Sequence, residues 1–418
     1  MDGWSWGKLS HRGAGVEKPK TKEVMKELTK TYYGEALRAR QEGRFVAYTT
    51  AISPVELFYA HDIIPIYPEN HAVMCLTGRM MPQLSLEIEK RGYTTHLCAY
   101  ARSDLGYREL QESPIGGIPD PDFLLACNAQ CFTLTKWFQV LSRRYGVPVF
   151  VFDTPQYIQK AEARKNIITY VEHQLGELIE ALEELTGRKF DYHRLREVMG
   201  YSAEASRLYR EFLDLASIKP SPISIFDALI HMAIIVYLRG TKEAVDYYRL
   251  LIEEIKEEKI SRGIGVIPNE RFRLYWENLP IWFKFKDHFE FLAAHDAVIL
   301  TSLYTHAWTY DFDVSNPIRT LAENYTAVFS NVELEERAER AVELFRRYSL
   351  NGNIMFMNRS CKAVTFGVLD LRDLITRKTG IPALVFESDM GDPRFYSEAQ
   401  IRTRLEAYLE TLDRMGVG

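Results

Sequence analysis

The chain has 418 residues, of which 46% are hydrophobic and 26% charged, with a formal net charge of −5. That length exceeds one ordinary core and predicts two or three domains, and the weakly acidic balance argues against nucleic acid or an anionic membrane surface as a partner. No apolar run is long enough to span a bilayer, Met1–Lys8 lacks the apolar core of a signal peptide, and five cysteines are an odd number for a disulfide framework, so a reducing cytoplasm is the expected location.

In chain order, residues 1–22 read as a polar arm without an apolar face. Glu23 to Arg40 has the pattern of a helix, Phe45 to Thr50 that of a buried strand, and Pro54 to Ala60 that of a helix with proline in its first turn. Ile63 to Tyr67, Phe123 to Cys127 and Pro148 to Asp153 complete a set of short apolar runs separated by helical stretches, the signature of a parallel sheet. The middle differs. Ile168, Val171, Leu175, Leu178, Leu182 and Leu185 follow steps of three and four and form one helix face, with Gly187 as its stop. Further helices are expected over Leu195–Ala216, Ile223–Arg239 and Ala244–Lys259. Alternation then resumes: strand Ala297–Thr301, helix Glu333–Tyr348, strand Ile354–Met357, helix Cys361–Lys378, strand Pro382–Glu387 and helix Ser397–Arg414, with Ser397 and Gln400 placed as a capping box. The expected architecture is α/β: two Rossmann-like parallel-sheet domains, 23–155 and 263–418, joined by a helical segment, 156–262. A cleft between such domains is a usual ligand site.

Four of the five cysteines fall at three points where an apolar, strand-like stretch gives way to a helix: Cys98, the pair Cys127 and Cys131, and Cys361. Strand ends in α/β units hold ligands, and helix N-termini favour thiolate over thiol. The CxxxC spacing of 127 and 131 is not that of a zinc ribbon, and no CxxC or nearby histidine pair supports zinc. Soft thiolates with few histidines suit an iron–sulfur cluster. The competing reading is a set of buried, inert core thiols, and spacing alone leaves both open.

Seven segments, in order, carry a resemblance. They are Pro54-Val55-Glu56-Leu57; Tyr67-Pro68-Glu69-Asn70-His71-Ala72; Cys98-Ala99-Tyr100-Ala101-Arg102; Cys127-Asn128-Ala129-Gln130-Cys131 with Lys136-Trp137; His306-Ala307-Trp308; Met357 to Lys362; and Asp389 to Arg394 with Tyr396 to Gln400. On these the chain resembles the iron–sulfur subunits of the 2-hydroxyacyl-CoA dehydratase and benzoyl-CoA reductase family. The resemblance implies a [4Fe–4S] cluster on three cysteines, and the matching positions here are Cys98, Cys131 and Cys361. Three thiolates on four irons leave one iron open to an oxygen ligand or a thioester. Cys127 then divides between a packed strand-end thiol and a supporting role, and Cys75 reads as inert. A double-cubane cluster that also used Cys75 and Cys127 would need six thiolates against the five present.

Glu69, His71 and His306 are the acid/base candidates; Glu69 and His71 are taken as the catalytic pair, and His306 as a satisfied structural histidine. Glu56, at a helix start, reads as structural. Arg102, Arg359 and Lys362 flank the thiols, where they could stabilise an anionic cluster or meet CoA phosphates. Some members of the family carry a serine three residues before the proline of the Pro-x-Glu motif; Ala51 stands there in this chain. The resemblance further implies an acyl-CoA substrate, a homologous second iron–sulfur subunit, and a separate ATP-hydrolysing activator, since no GxxxxGK[ST] phosphate loop is present. The reaction it points to is low-potential reduction of an aromatic acyl-CoA, as in the B-type subunits of benzoyl-CoA reductase. The alternatives are radical dehydration of a 2-hydroxyacyl-CoA to an enoyl-CoA, and a non-catalytic electron relay.

Overall fold

Two parallel sheets organise the protein, whose computed structural model describes residues 20–416. The first contains β1 (Phe45–Thr49), β2 (Ile63–Ile66), β3 (Phe123–Cys127) and β4 (Val149–Phe152) in the order β2-β1-β3-β4; the second contains β5 (Phe272–Glu277), β6 (Ala297–Thr301), β7 (Gly352–Asn358) and β8 (Ala383–Ser388) in the order β6-β5-β7-β8. Every pairing within both sheets is parallel. The fold is therefore α/β with two parallel sheets of one topology. In each, the order reverses beside the first strand, between β1 and β3 and between β5 and β7, and such reversals open a crevice at the carboxyl ends of the strands.

The helices show where local sequence was decisive. The Ala161–Thr186 helix buries Ile168, Val171, Leu175, Leu178 and Leu182 and stops at Gly187, which takes φ +67° and donates to the Glu183 carbonyl. Three expectations are corrected, and one strand is not expected from the sequence at all. The helix placed from Glu23 begins at Thr21, and the first nineteen positions of the expected arm lie outside the described residues. The helix placed over Cys361–Lys378 is two, Lys362–Thr365 and Val368–Thr379, because Gly367 takes φ +83° between them. Ser397 precedes the Glu398–Arg414 helix but makes no side-chain cap. The central strand β5 escapes the hydrophobic pattern because it carries Arg273 and Glu277, both buried. Arg273 is satisfied by Glu270 and by the carbonyls of Tyr348 and Ala216, and Glu277 by Arg337 and Tyr275.

The helical segment is built into the sheets' surroundings. The Tyr192–Asp214 helix packs on the Glu56–Ala60 helix, and Ala161–Thr186 packs on Pro317–Thr326. At the first junction Glu56 is fully buried. It accepts hydrogen bonds from Arg239 Nε (3.1 Å), Ser202 Oγ (2.8 Å) and the Tyr325 hydroxyl (2.7 Å), and so ties all three parts of the chain together. The structural reading of Glu56 thus agrees with its surroundings. Among the described residues no helix is long and apolar enough to cross a membrane.

Candidate active site

The crevices of the two sheets open onto one cavity of about 220 Å³. The segment after β1 contributes Ala51 and Ile52, that after β3 Gln130 and Cys131, that after β5 Leu279, and that after β7 Cys361. Cys98 and Glu69 join them from helix starts in the first half of the chain. Residues 230 positions apart (361 − 131) therefore share one wall because two sheets of one topology face each other through their strand ends.

Each lining cysteine immediately precedes a helix: Cys98 before Ala99–Leu110, Cys131 before Phe132–Tyr145 and Cys361 before Lys362–Thr365. The first backbone N–H groups of a helix lack intrahelical partners. Those of Ala101 and Tyr100 donate to the Cys98 sulfur, and those of Val364 and Ala363 to that of Cys361. Burial pushes the Cys98 thiol well up, and the neighbouring Cys361 and Cys131 sulfurs add to the effect. Burial and then Cys131 push Cys361 up to about 12. The three sulfurs are thus electrostatic neighbours, and Cys98 and Cys361 resist becoming thiolates without a cation beside them. Among the described residues no three His, Cys, Asp or Glu side chains close on a single metal ion. A cubane asks for something different: thiolates that reach separate irons, aided by N–H donors to sulfur. The donor set fits that group. Cys127 lies buried at the end of β3, pushed up to about 12 by burial, against hydrogen bonds from Ala129 and Thr154. Cys75 is buried and pushed up to about 11. Neither lines the cavity.

Glu69 faces the cavity from the first turn of the Pro68–Thr77 helix. One carboxyl oxygen accepts from the Ala51 N–H (2.7 Å) and the other from Gln130 Nε2 (2.6 Å). Burial raises its pKa to about 7, against the lowering effect of these two donors. His71 does not join it. Two residues further round a helix is the opposite face. There Nε2 bonds Ser113 Oγ (2.8 Å), the ring meets Tyr107 at 4.3 Å, and burial lowers the pKa to about 4. His306 is also away from the cavity, bonded to Thr301 Oγ1 at 3.0 Å and pushed down to about 3, chiefly by burial. Its neighbour Trp308 is a wall residue, and its indole N–H donates to the Ala51 carbonyl (3.1 Å).

The flanking cations also turn elsewhere. Arg102 is fully buried and reaches Asp392 at 3.1 Å and Asp389 at 3.8 Å. Arg359 stacks on Phe395, 3.7 Å from the ring centre, and Lys362 bonds the Arg359 carbonyl. Three features of the site escape a linear reading of the sequence. Gln130 is visible there only as a spacer between two cysteines. Tyr304 follows no motif. The Ile225–Tyr237 helix lines the cavity with Leu229, Met232, Ala233 and Val236, a spacing that reads equally as core.

Known proteins are similar to this chain along most of its length. The family described as 2-hydroxyglutaryl-CoA dehydratase, D-component, matches residues 50–412. The alpha subunit of (R)-2-hydroxyisocaproyl-CoA dehydratase from Clostridioides difficile is 33% identical over 398 residues, 95% of this chain and 97% of the relative. The alpha subunit of (R)-phenyllactyl-CoA dehydratase from Clostridium sporogenes is 29% identical, covering 97% of this chain and 98% of the relative. The B-type subunit of benzoyl-CoA reductase from Thauera aromatica is 30% identical, covering 94% of each. With seven of the eight strands and all three cavity cysteines inside the matched span, the chain belongs to the 2-hydroxyglutaryl-CoA dehydratase D-component family of acyl-CoA enzymes.

Proposed function

We propose that this chain is the iron–sulfur subunit of an enzyme that dehydrates a 2-hydroxyacyl-CoA to the enoyl-CoA, with Cys98, Cys131 and Cys361 as cluster ligands. The convergence of those three thiols and Glu69 on one cavity carries the reading. When bound, a [4Fe–4S] cluster supplies one-electron chemistry and an iron without a cysteine ligand that can polarise an oxygen. The chain's own residues do the rest. Glu69, poised near neutrality, holds or releases a proton at a carboxyl oxygen. Gln130 and the Ala51 N–H orient that carboxyl. Trp308, Tyr304 and Leu279 exclude water. His71 lies off the cavity, and we assign it no proton transfer. The relatives at 33% and 29% identity bear dehydratase names, and so dehydration stands ahead of the ring reduction that the sequence motifs favoured.

Reduction of an aromatic acyl-CoA is the second reading, and Ala51 favours it. At that cavity position there is no hydroxyl, and the nearby Thr50 and Ser53 hydroxyls bond each other at 2.6 Å. In either case the expected partners are a second subunit, as the names of the relatives suggest, which we take to be a homologous iron–sulfur subunit, and an ATP-hydrolysing activator that supplies the electron, in a reducing cytoplasm.

The test is anaerobic purification with iron and sulfide analysis. Iron and acid-labile sulfide are expected in the intact protein. Cys98→Ala, Cys131→Ala and Cys361→Ala should each lose most of both, while Cys75→Ala keeps them. Zinc without sulfide, or equal loss from Cys75→Ala, would count against the ligand set.

A further inference from the structure

The acyl group itself is legible in the cavity wall. The Ile225–Tyr237 helix presents Leu229, Met232, Ala233 and Val236 to the same space as the three cysteines. Among the described residues no arginine, lysine or histidine lines that space, and Glu69 is its sole carboxyl. Most polar groups in the wall are already paired inside the protein. Tyr237 bonds Thr29 at 2.6 Å, Tyr100 accepts from Trp282 Nε1 at 2.7 Å, Trp308 donates to Ala51, and Gln130 spans Glu69 and the Ile52 N–H. Asn70 and Thr133, also in the wall, are neutral.

An acyl tail ending in a carboxylate would lose its water there, find no cation, and share the space with Glu69. An unpaired buried charge is among the costliest groups to bind. A branched aliphatic or aryl tail lying along the Ile225–Tyr237 helix would meet the apolar side chains of Leu229, Met232, Ala233 and Val236, which favours it by its apolar area.

We propose that this face of the Ile225–Tyr237 helix is the acyl-selectivity wall, and that it admits an uncharged aliphatic or aryl acyl group and rejects a dicarboxylic one. The inference rests on the acyl-CoA reading above but holds for dehydration and ring reduction alike. Ala233 is its adjustable point, because it is only half-buried and its small side chain leaves room for a longer one.

The experiment uses the anaerobically purified complex with its partner subunit. Equilibrium binding is measured for 4-methyl-2-hydroxypentanoyl-CoA, 3-phenyl-2-hydroxypropanoyl-CoA, benzoyl-CoA and 2-hydroxyglutaryl-CoA, with free CoA as reference. The dicarboxylic thioester is expected to bind at least about a hundredfold more weakly than the best uncharged one. Ala233→Arg should narrow that gap at least about tenfold by supplying the missing cation. Equal binding of the dicarboxylic and uncharged thioesters by the unaltered protein would overturn the selectivity wall and leave the acyl-CoA reading standing. Failure of every thioester to bind more tightly than free CoA would overturn the acyl-CoA reading, and the inference with it. The comparison on unaltered protein decides the matter even if Ala233→Arg does not fold.

Discussion

Glu69 combines two conditions that a proton-transfer group needs: access to the reacting space and a pKa near the working pH. Burial supplies the second, raising its pKa from the ordinary 4.5 to about 7, with the Ala51 and Gln130 donors limiting the rise. Glu69→Gln keeps the shape and one acceptor but cannot move a proton. It should lower kcat by about 10²- to 10⁴-fold, with iron content unchanged. The sign of the stability effect follows from the raised pKa. Between pH 4.5 and 7 the folded state holds this proton more tightly than the unfolded chain does, so Glu69 costs stability as pH rises through that window. The Gln variant should lose that downward slope, seen as thermal unfolding temperatures that fall less between about pH 5 and 7.5. Undiminished turnover in the variant would remove Glu69 from the chemistry. At this scale the sequence was half informative. The Tyr67–Ala72 motif marked Glu69 and His71 together, but helix geometry sends adjacent-but-one residues to opposite sides, and only Glu69 reaches the cavity.

Between elements, the loop after β8 is fastened to the Ala99–Leu110 helix that begins at Cys98. Arg102, from that helix, donates to Asp392 and to Ser85, and Asp392 also accepts from Arg394 at 2.7 Å. Gly391, in the same loop, passes so close to Leu76 that a Cβ would lie 2.4 Å from its Cδ2. Arg102 reads from sequence as a charge beside a thiol; its guanidinium instead hydrogen-bonds the buried Asp392 carboxylate and lies 3.8 Å from that of Asp389. Arg102→Met should therefore destabilise the fold by about 3–5 kcal/mol, because removal of one partner strands charges out of water. Denaturant unfolding, with hydrogen exchange to localise the change to 99–110 and 389–394, checks this. A loss below about 1 kcal/mol would mean that the pair contributes no more than a surface bridge. The same burial explains why β5 is missed from sequence. Arg273 and Glu277 look like solvent-facing residues in a linear reading, and only their partners, Glu270 and Arg337, from a preceding loop and a later helix, make an interior strand of them.

For the whole molecule, two sheets of one topology meet through their strand ends, and the cavity between them is lined by cysteines from both halves of the chain. We propose the division 23–155, 156–262 and 263–418 for the domains, with the cluster as a clasp across the first and last. Removal of iron by anaerobic chelation should then increase amide exchange together around Cys98, Cys131 and Cys361, because the group that ties the three segments together is lost. A change confined to one of the three segments would show that the halves are held by packing alone. The Glu56–Arg239–Tyr325 network, which contains no cysteine, predicts that the molecule loosens at this seam without coming apart.

The amino-acid sequence alone determined the properties that depend on neighbours along the chain. Alternating apolar runs and helical stretches specified a parallel α/β fold. The three-and-four spacing from Ile168 specified a helix face, Gly187 its end, and cysteines at helix starts a candidate soft-metal site. The tertiary structure decided what depends on partners far along the chain. It put Cys361 beside Cys131, turned Glu69 into the cavity and His71 out of it, buried Arg102, and made the Ile225–Tyr237 helix a wall of the site. The reason is physical. Propensity and periodicity act over a few residues, whereas the direction of a side chain and the cost of its charge are set by whichever distant segment packs against it.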